Sequence, residues 1–227
     1  MLSFLTRVIA PTHCLLCEDL LRSAEQSLCQ ICLAAQPRCS ELEQERLTRV
    51  ASTVKVTFRA ALINTASVST MCHSFKYGGN PWIAEYLGNQ VMGPILNEYS
   101  SFEYVLVPMP ISRKRFRQRG YNQSEKLAVG LLHYLTSNGL KASIVHVLEK
   151  VSERKSQVNM NPFERWTNPK GSVRVRQKIK QRIPGDALLV MIDDTVTTGS
   201  TLIHAAEIIR KEFPEQPLHL LALALEV

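Results

Sequence analysis

The 227-residue sequence has no run of about eighteen apolar residues, so no stretch reads as a transmembrane helix. It has no Gly-x4-Gly-Lys-[Ser/Thr] loop, which argues against a P-loop ATPase or helicase. Residues 1–11 carry one arginine and a short apolar mix. They lack a charged region, a long apolar core and a small-residue cleavage site, so they read as no signal peptide and the expected location is cytoplasmic. There is no internal repeat and no low-complexity tract. Aromatics are sparse at 7%, and the two basic runs interleave with them poorly: Phe116 and Tyr121 in one, none in the other. That argues against an autonomous base-stacking platform.

What is present suits one α/β domain with a small appendage: 45% apolar residues, 21% charged and a formal net charge of +7. The positive balance suits phosphorylated ligands or nucleic acid. The most informative stretch is 188–202, LLVMIDDTVTTGSTL. Five consecutive apolar residues, 188–192, read as a buried parallel strand. Asp193 and Asp194 follow at its carboxyl end, where open α/β sheets bind ligands. Thr195, Val196, Thr197, Thr198, Gly199, Ser200 and Thr201 read as a hydroxyl-rich loop, and 202–213 as an amphipathic helix. A helix start attracts phosphate, the hydroxyls add donors, and Gly199 lets backbone approach the anion. Two carboxylates suit a vicinal diol with a divalent metal nearby. Diol beside phosphate is the pattern of ribose 5-phosphate. The rival readings are a helix merely capped by Thr and Ser and a Walker B strand, which lacks its partner loop here.

Near the start, Cys14 and Cys17, then Cys29 and Cys32, form two Cys-x2-Cys pairs separated by eleven residues. This spacing predicts a closed tetrahedral thiolate site holding a structural zinc, in an appendage too small to bury its own core. Reduced or adventitiously paired cysteines are the alternative. Cys39 and Cys72 read as ordinary small residues, and His13 as a surface residue.

Residues 40–50 predict a linker or covering helix, and 54–64 a partial strand. Residues 66–77 predict a helix ending at Gly78-Gly79. Pro81 opens another, running to about Tyr99 with weak points at Gly88 and Gly93. A short strand at 104–107 leads into Arg113, Lys114, Arg115, Arg117 and Arg119, ahead of a helix starting near Asn122. This places the cations on the same rim as the acids, where they could hold pyrophosphate, grip a nucleic-acid backbone or form plain surface. Residues 144–148 read as a strand. From Ser156 through Trp166 to Gly171 the chain reads as a long functional loop. Arg174, Arg176, Lys178, Lys180 and Arg182 would share one face if extended, as a basic edge strand or a nucleic-acid contact. Residues 218–225 read as a last buried strand.

The 188–201 stretch resembles the phosphoribosyl pyrophosphate (PRPP) motif of type I phosphoribosyltransferases. The whole chain resembles the ComF/GntX family of competence-associated proteins. That resemblance rests on the paired Cys-x2-Cys motifs, on Phe75-Lys76-Tyr77-Gly78, on Val-Pro-x-Pro followed by Arg119-Gly120-Tyr121-Asn122-Gln123, and on Asp193 to Thr201. It implies an α/β, type I phosphoribosyltransferase-like fold: a mostly parallel sheet flanked by helices over 41–227, with a zinc-ribbon-like segment over 1–40. It implies PRPP binding by Asp193 to Thr201, with Arg113, Lys114, Arg115, Arg119 and Lys76 toward pyrophosphate or substrate, and Mg2+ with PRPP. It links the chain to natural transformation, with single-stranded DNA and competence or helicase proteins as further partners.

Three departures stand out. Lys150, Ser152 and Arg154 precede Gln157 where the family has an Arg-rich block. Arg165, Asn168 and Gly171 keep a family pattern, with Val173 where an aromatic is expected. No second cysteine cluster accompanies Cys39, so one zinc is expected. At the Thr197 position some phosphoribosyltransferases carry Asp, and threonine is a poor base near pH 7. No glutaminase nucleophile is present. Transferase, PRPP-sensing regulator and DNA-handling accessory protein all remain open readings.

Overall fold

The computed structural model describes residues 13–21, 27–99, 102–151 and 173–227. The readings placed on residues 1–11 and on Ser152, Arg154, Gln157, Arg165, Trp166, Asn168 and Gly171 lie outside these.

Five strands build the central sheet: β1 (Thr57–Ile63), β2 (Tyr104–Pro108), β3 (Ala142–Ile144), β6 (Leu188–Val196) and β7 (Leu218–Leu225). Their order is β1-β7-β6-β2-β3, and every neighbouring pair is parallel. β4 (Leu148–Lys150) and β5 (Val173–Val175) form a separate antiparallel pair. The helices are α1 (Gln30–Ala34), α2 (Glu41–Val50), α3 (Ala66–Tyr77), α4 (Pro81–Leu87), α5 (Arg113–Arg119), α6 (Gln123–Ser137) and α7 (Ser200–Glu212). The architecture is α/β, a parallel sheet flanked by helices.

Alternation along the strands divides the core in two. Tyr104, Leu106, Leu188, Val190 and Ile192 pack with residues of α3, α4 and α6. Val105, Val107, Leu189 and Met191 pack with residues of α2 and α7. With both faces covered, β7 is apolar at every position but His219, and every one of its residues is buried. Helix α6 lies backbone-close to α4: a Cβ on Gly130 would sit 1.9 Å from the Glu85 carbonyl oxygen. Leu28 and Leu33 from the cysteine segment join the α3/α4/α6 cluster. Arg38 bridges to Leu62 at the edge of β1.

Several boundaries differ from expectation. The central strand does not stop at Ile192. It runs to Val196 because β7 pairs alongside it as far as Val196↔Leu225. The helix after it starts at Ser200 rather than Leu202. The 144–148 stretch is not one strand: β3 ends where its register with β2 ends, and Leu148 pairs instead with Val175. The basic 174–182 stretch does not put five cations on one face. Only Val173–Val175 is extended, Lys178 has φ +60°, and Ile179–Arg182 is a 3-10 turn. Arg174 pairs with Glu149 at 2.7 Å and Lys180 with Glu212 at 2.9 Å. The 113–119 run forms its own short helix, capped by the Ser112 hydroxyl, which accepts from the Arg115 N–H.

Candidate functional site

Strand order reverses between β2 and β6: from β2 the chain passes to β3 on one side, then to β6 and β7 on the other. Ligands of open α/β sheets bind at the carboxyl edge of such a switch point. Here that edge holds Pro108, Met109, Asp193 and Asp194, and both α6 and the loop before α7 start beside it.

The two acids are not equivalent. Asp194 is 5% exposed, while Asp193 is partly exposed. Asp194 forms an ion pair with Lys76, from the last turn of α3. Its Oδ1 accepts from Gln123 Nε2 at 3.4 Å, and its Oδ2 from the Thr195 hydroxyl at 3.4 Å. Lys76 also donates to the Thr195 hydroxyl at 3.2 Å. Asp193 Oδ1 accepts from the Ser124 hydroxyl at 3.1 Å and from the Asp194 N–H at 3.0 Å. Burial and the neighbouring Asp194 carboxylate push Asp193 up to about 8. Burial would raise Asp194 too, but Lys76 outweighs it and holds that carboxyl below its ordinary range.

Gln123 and Ser124 arrive by a chain of local contacts. The Asn122 side chain caps α6 by accepting from the Ser124 N–H at 3.1 Å, and donates to the Met109 carbonyl at 2.9 Å. This fixes the helix start to the end of β2. The Tyr121 hydroxyl donates to the Phe75 carbonyl, tying the same start to the end of α3. Neither Gln123 nor Ser124 was singled out from sequence as a ligand-side group. The available signal was their position at a helix start directly after a strand end.

Beyond the acids comes the 197–199 turn, the stretch expected from sequence to meet an anion. Gly199 has φ +74°, and a Cβ there would meet Phe58 Cε1 at 2.5 Å. The N-cap of α7 is Gly199, which has no side chain to offer, and the Ser200 N–H is met by Thr198 Oγ1 at 3.4 Å. Thr197, Thr198 and Ser200 are exposed, with Thr198 Oγ1 3.2 Å from Ser200 Oγ. With one first-turn N–H met from within the loop, the exposed hydroxyls and the remaining first-turn N–H groups are the donors this helix start can offer an anion. Val196 and Gly199 are buried and serve the backbone path.

Of the other expected contacts, Lys76 lies in the acid cluster. The Arg119 guanidinium sits 4.8 Å from the Tyr77 ring centre and donates to the Tyr77 hydroxyl at 3.1 Å. Arg113, Lys114 and Arg115 are exposed, and their side chains make no ion pair among the described residues. Cys72 lies 4.0 Å from Thr195 Oγ1; burial pushes its thiol up to about 11, so it is no thiolate at neutral pH. A cavity of about 460 Å³ opens at the opposite, amino end of the strands, lined in part by Thr57, Tyr99, Leu188 and Leu218. It holds no acid, cysteine or histidine.

The sulfurs of Cys14, Cys17, Cys29 and Cys32 all lie within 4.8 Å of one another. Tetrahedral Zn–S bonds of about 2.3 Å need sulfurs about 3.8 Å apart. Cys17 and Cys29 are at 3.8 Å. The Cys32 N–H donates to Cys29 Sγ and the Cys29 N–H to Cys14 Sγ, both at 3.4 Å, the amide support a thiolate knuckle needs. Four thiolates with no other ligand fit a closed site for a metal such as zinc.

No protein-family model matches the chain. Curated relatives do. Competence protein F of Haemophilus influenzae is 24% identical over 148 residues, covering 63% of this chain and 62% of that protein. DNA utilization protein YhgH of Salmonella typhimurium is 27% identical over 150 residues, covering 64% and 62%. Competence protein ComFC of Bacillus subtilis is 26% identical over 144 residues, covering 58% and 49%. The chain is similar to the ComF family. It spans about three fifths or less of the length of these relatives. Among the described residues, no helix is long and apolar enough to cross a membrane.

Proposed function

We propose that this chain is a PRPP-binding, phosphoribosyltransferase-like protein serving natural competence and DNA transformation. The observation that carries the reading is the acid pair Asp193 and Asp194 at the β2/β6 switch point, one turn away from the hydroxyl-rich start of α7. In this reading the 5-phosphate sits on the 197–201 turn and the ribose hydroxyls face the acids. Mg2+ would enter with the pyrophosphate and would offset the charge that builds on that leaving group. The exposed cations Arg113, Lys114 and Arg115 stand on the rim that follows β2, where a pyrophosphate needs partners. The four cysteines hold a structural zinc.

Position 197 is threonine, which is no general base near neutral pH. A transferase built on this loop therefore takes an acceptor that needs no base from it. Calorimetric titration of PRPP with Mg2+ into zinc-loaded protein tests the site. Pyrophosphate release on adding an acceptor then separates a transferase from a sensor. Wild-type affinity in an Asp193→Asn/Asp194→Asn double variant would overturn the assignment.

A second reading, an accessory protein in handling imported single-stranded DNA, is favoured by exposed aromatic side chains. Tyr77, Trp82 and Phe116 are 65%, 60% and 50% exposed, and Arg119 covers the Tyr77 ring. Exposed rings beside cations suit stacked bases and phosphates. The names of the relatives, with competence and DNA utilization in them, agree with a DNA-linked role. Salt-sensitive retention of oligonucleotide, lost on charge reversal at Arg113, Lys114 and Arg115, would support it.

A further inference from the structure

The acid pair already contains a cation. Lys76 is seated against Asp194, with its side chain only 21% exposed. Its seat is fixed by packing: the preceding Phe75 is fully buried, and the Phe75 carbonyl is held by Tyr121. Burial favours the neutral amine, but the Asp194 carboxylate overrides it, so the ammonium stays charged.

Counting donors and acceptors shows what is left for a ligand. An ammonium has three donors. Lys76 uses one on Asp194 and one on Thr195, which leaves one. Both oxygens of Asp194 are engaged, by Gln123 on one side and by Lys76 and Thr195 on the other. Asp193 Oδ1 is engaged by Ser124 and the Asp194 N–H. Asp193 also shares a side-chain hydrogen bond with Asp194, and as the more exposed of the two acids it is the one a ligand can reach.

We propose that the Lys76 ammonium is the built-in counter-cation of this site, so that the ribosyl diol is held by Asp193 and Lys76 without a divalent metal. The proposal rests on the sugar-phosphate reading given above. It assigns unlike roles to the two acids. Asp194 holds the ammonium in place, and Asp193 is the carboxyl that meets the diol. A divalent ion is then recruited by the pyrophosphate alone, and a ligand lacking pyrophosphate needs none. A metal held between the two acids would instead have to displace or face a lysine charge fixed beside them.

Ribose 5-phosphate is the probe, since it carries the phosphate and the diol and no pyrophosphate. Its dissociation constant is measured by calorimetry on zinc-loaded protein. Tightly bound zinc resists brief exposure to EDTA, and metal analysis of the recovered sample checks that it stayed. The constant in EDTA is expected within about twofold of that in Mg2+. Lys76→Met is expected to weaken binding roughly tenfold in EDTA, the loss of a charge-assisted hydrogen bond. Should that variant not fold, Lys76→Met/Asp194→Asn removes the pair together and is expected to show the same loss. Wild-type binding that appears only with Mg2+ overturns the proposal and leaves the sugar-phosphate reading intact. Wild-type affinity in the double variant does the same. Failure of the probe to bind in either condition overturns the sugar-phosphate reading, and the proposal with it.

Discussion

The Ser124 hydroxyl donates to Asp193 Oδ1 at 3.1 Å, joining the first turn of α6 to the second half of β6. Ser124 is fully buried, so no water replaces it freely. Ser124→Ala is expected to cost about 1–2 kcal/mol, an unmade bond at a buried acceptor. Because that bond favours the ionised carboxyl, its loss should also raise Asp193 further. Urea denaturation and carbon-detected NMR titration check the two effects.

Lys76 and Asp194 should behave as a unit. Removing one partner leaves a buried charge unpaired, so Lys76→Met is expected to destabilise by roughly 3 kcal/mol. Lys76→Met/Asp194→Asn should destabilise less than the single change. Chemical denaturation of both variants checks the order. A double variant weaker than the single would show that the pair itself is strongly stabilising.

Two titratable groups set opposing pH slopes. Asp193 is pushed up to about 8 by burial and by Asp194, so above about pH 4 the folded chain keeps a proton that the unfolded chain has released. Stability from this group falls as pH rises from about 4 to about 8. His219 is lowered to about 3 by burial and by Arg59, so below about pH 6.5 the unfolded chain takes a proton that the folded chain refuses. Stability from it falls as pH drops from about 6.5 to about 3. Asp194, held low by Lys76 against burial, adds a loss only below about pH 4. The two slopes oppose each other between about pH 4 and 6.5, and above that only the Asp193 slope remains. Asp193→Asn should abolish the decline toward pH 8 and leave a rise up to about pH 6.5, read as denaturation midpoints across that range.

Metal analysis of purified protein should return one zinc per chain. Cys17→Ser should remove it. Leu28 and Leu33 lie between or beside the cysteines and pack into the main core, so metal loss should lower the melting temperature of the whole chain. An unchanged melting temperature in a zinc-free sample would mean that the segment folds without metal.

Gly199→Ala is expected to cost about 1–3 kcal/mol, from the left-handed backbone and the contact with Phe58. Phe58→Leu in the same chain should relieve the contact and recover part of the phosphate affinity. Binding of inorganic phosphate to the three proteins checks this.

Features governed by neighbouring residues in the sequence were legible. Helix α3 was read to its last residue because its start and end are local: Thr65 accepts from the Val68 N–H, and Gly78 stops it. The break at Gly88 and the fully buried β7 were equally open to reading. Features set by distant partners were not. β6 outlasts its apolar run because β7 runs beside it, and 144–148 splits because each half has a different neighbour. Within the site, the acids, the turn and Lys76 were named from sequence. The difference between the acids was not, because it comes from strand alternation combined with a lysine 118 residues away in sequence from Asp194. Gln123 and Ser124 escaped for the same reason.

The bond from Tyr121 to the Phe75 carbonyl has a mechanical consequence. It makes the end of α3 and the beginning of α6 a single stiff corner, so Lys76 on one side and Gln123 with Ser124 on the other move together or not at all. Compliance is left to the opposite wall, the 197–198 turn, whose side chains face solvent. A ligand would meet one fixed jaw that reads its ring and one yielding jaw that accepts its tail.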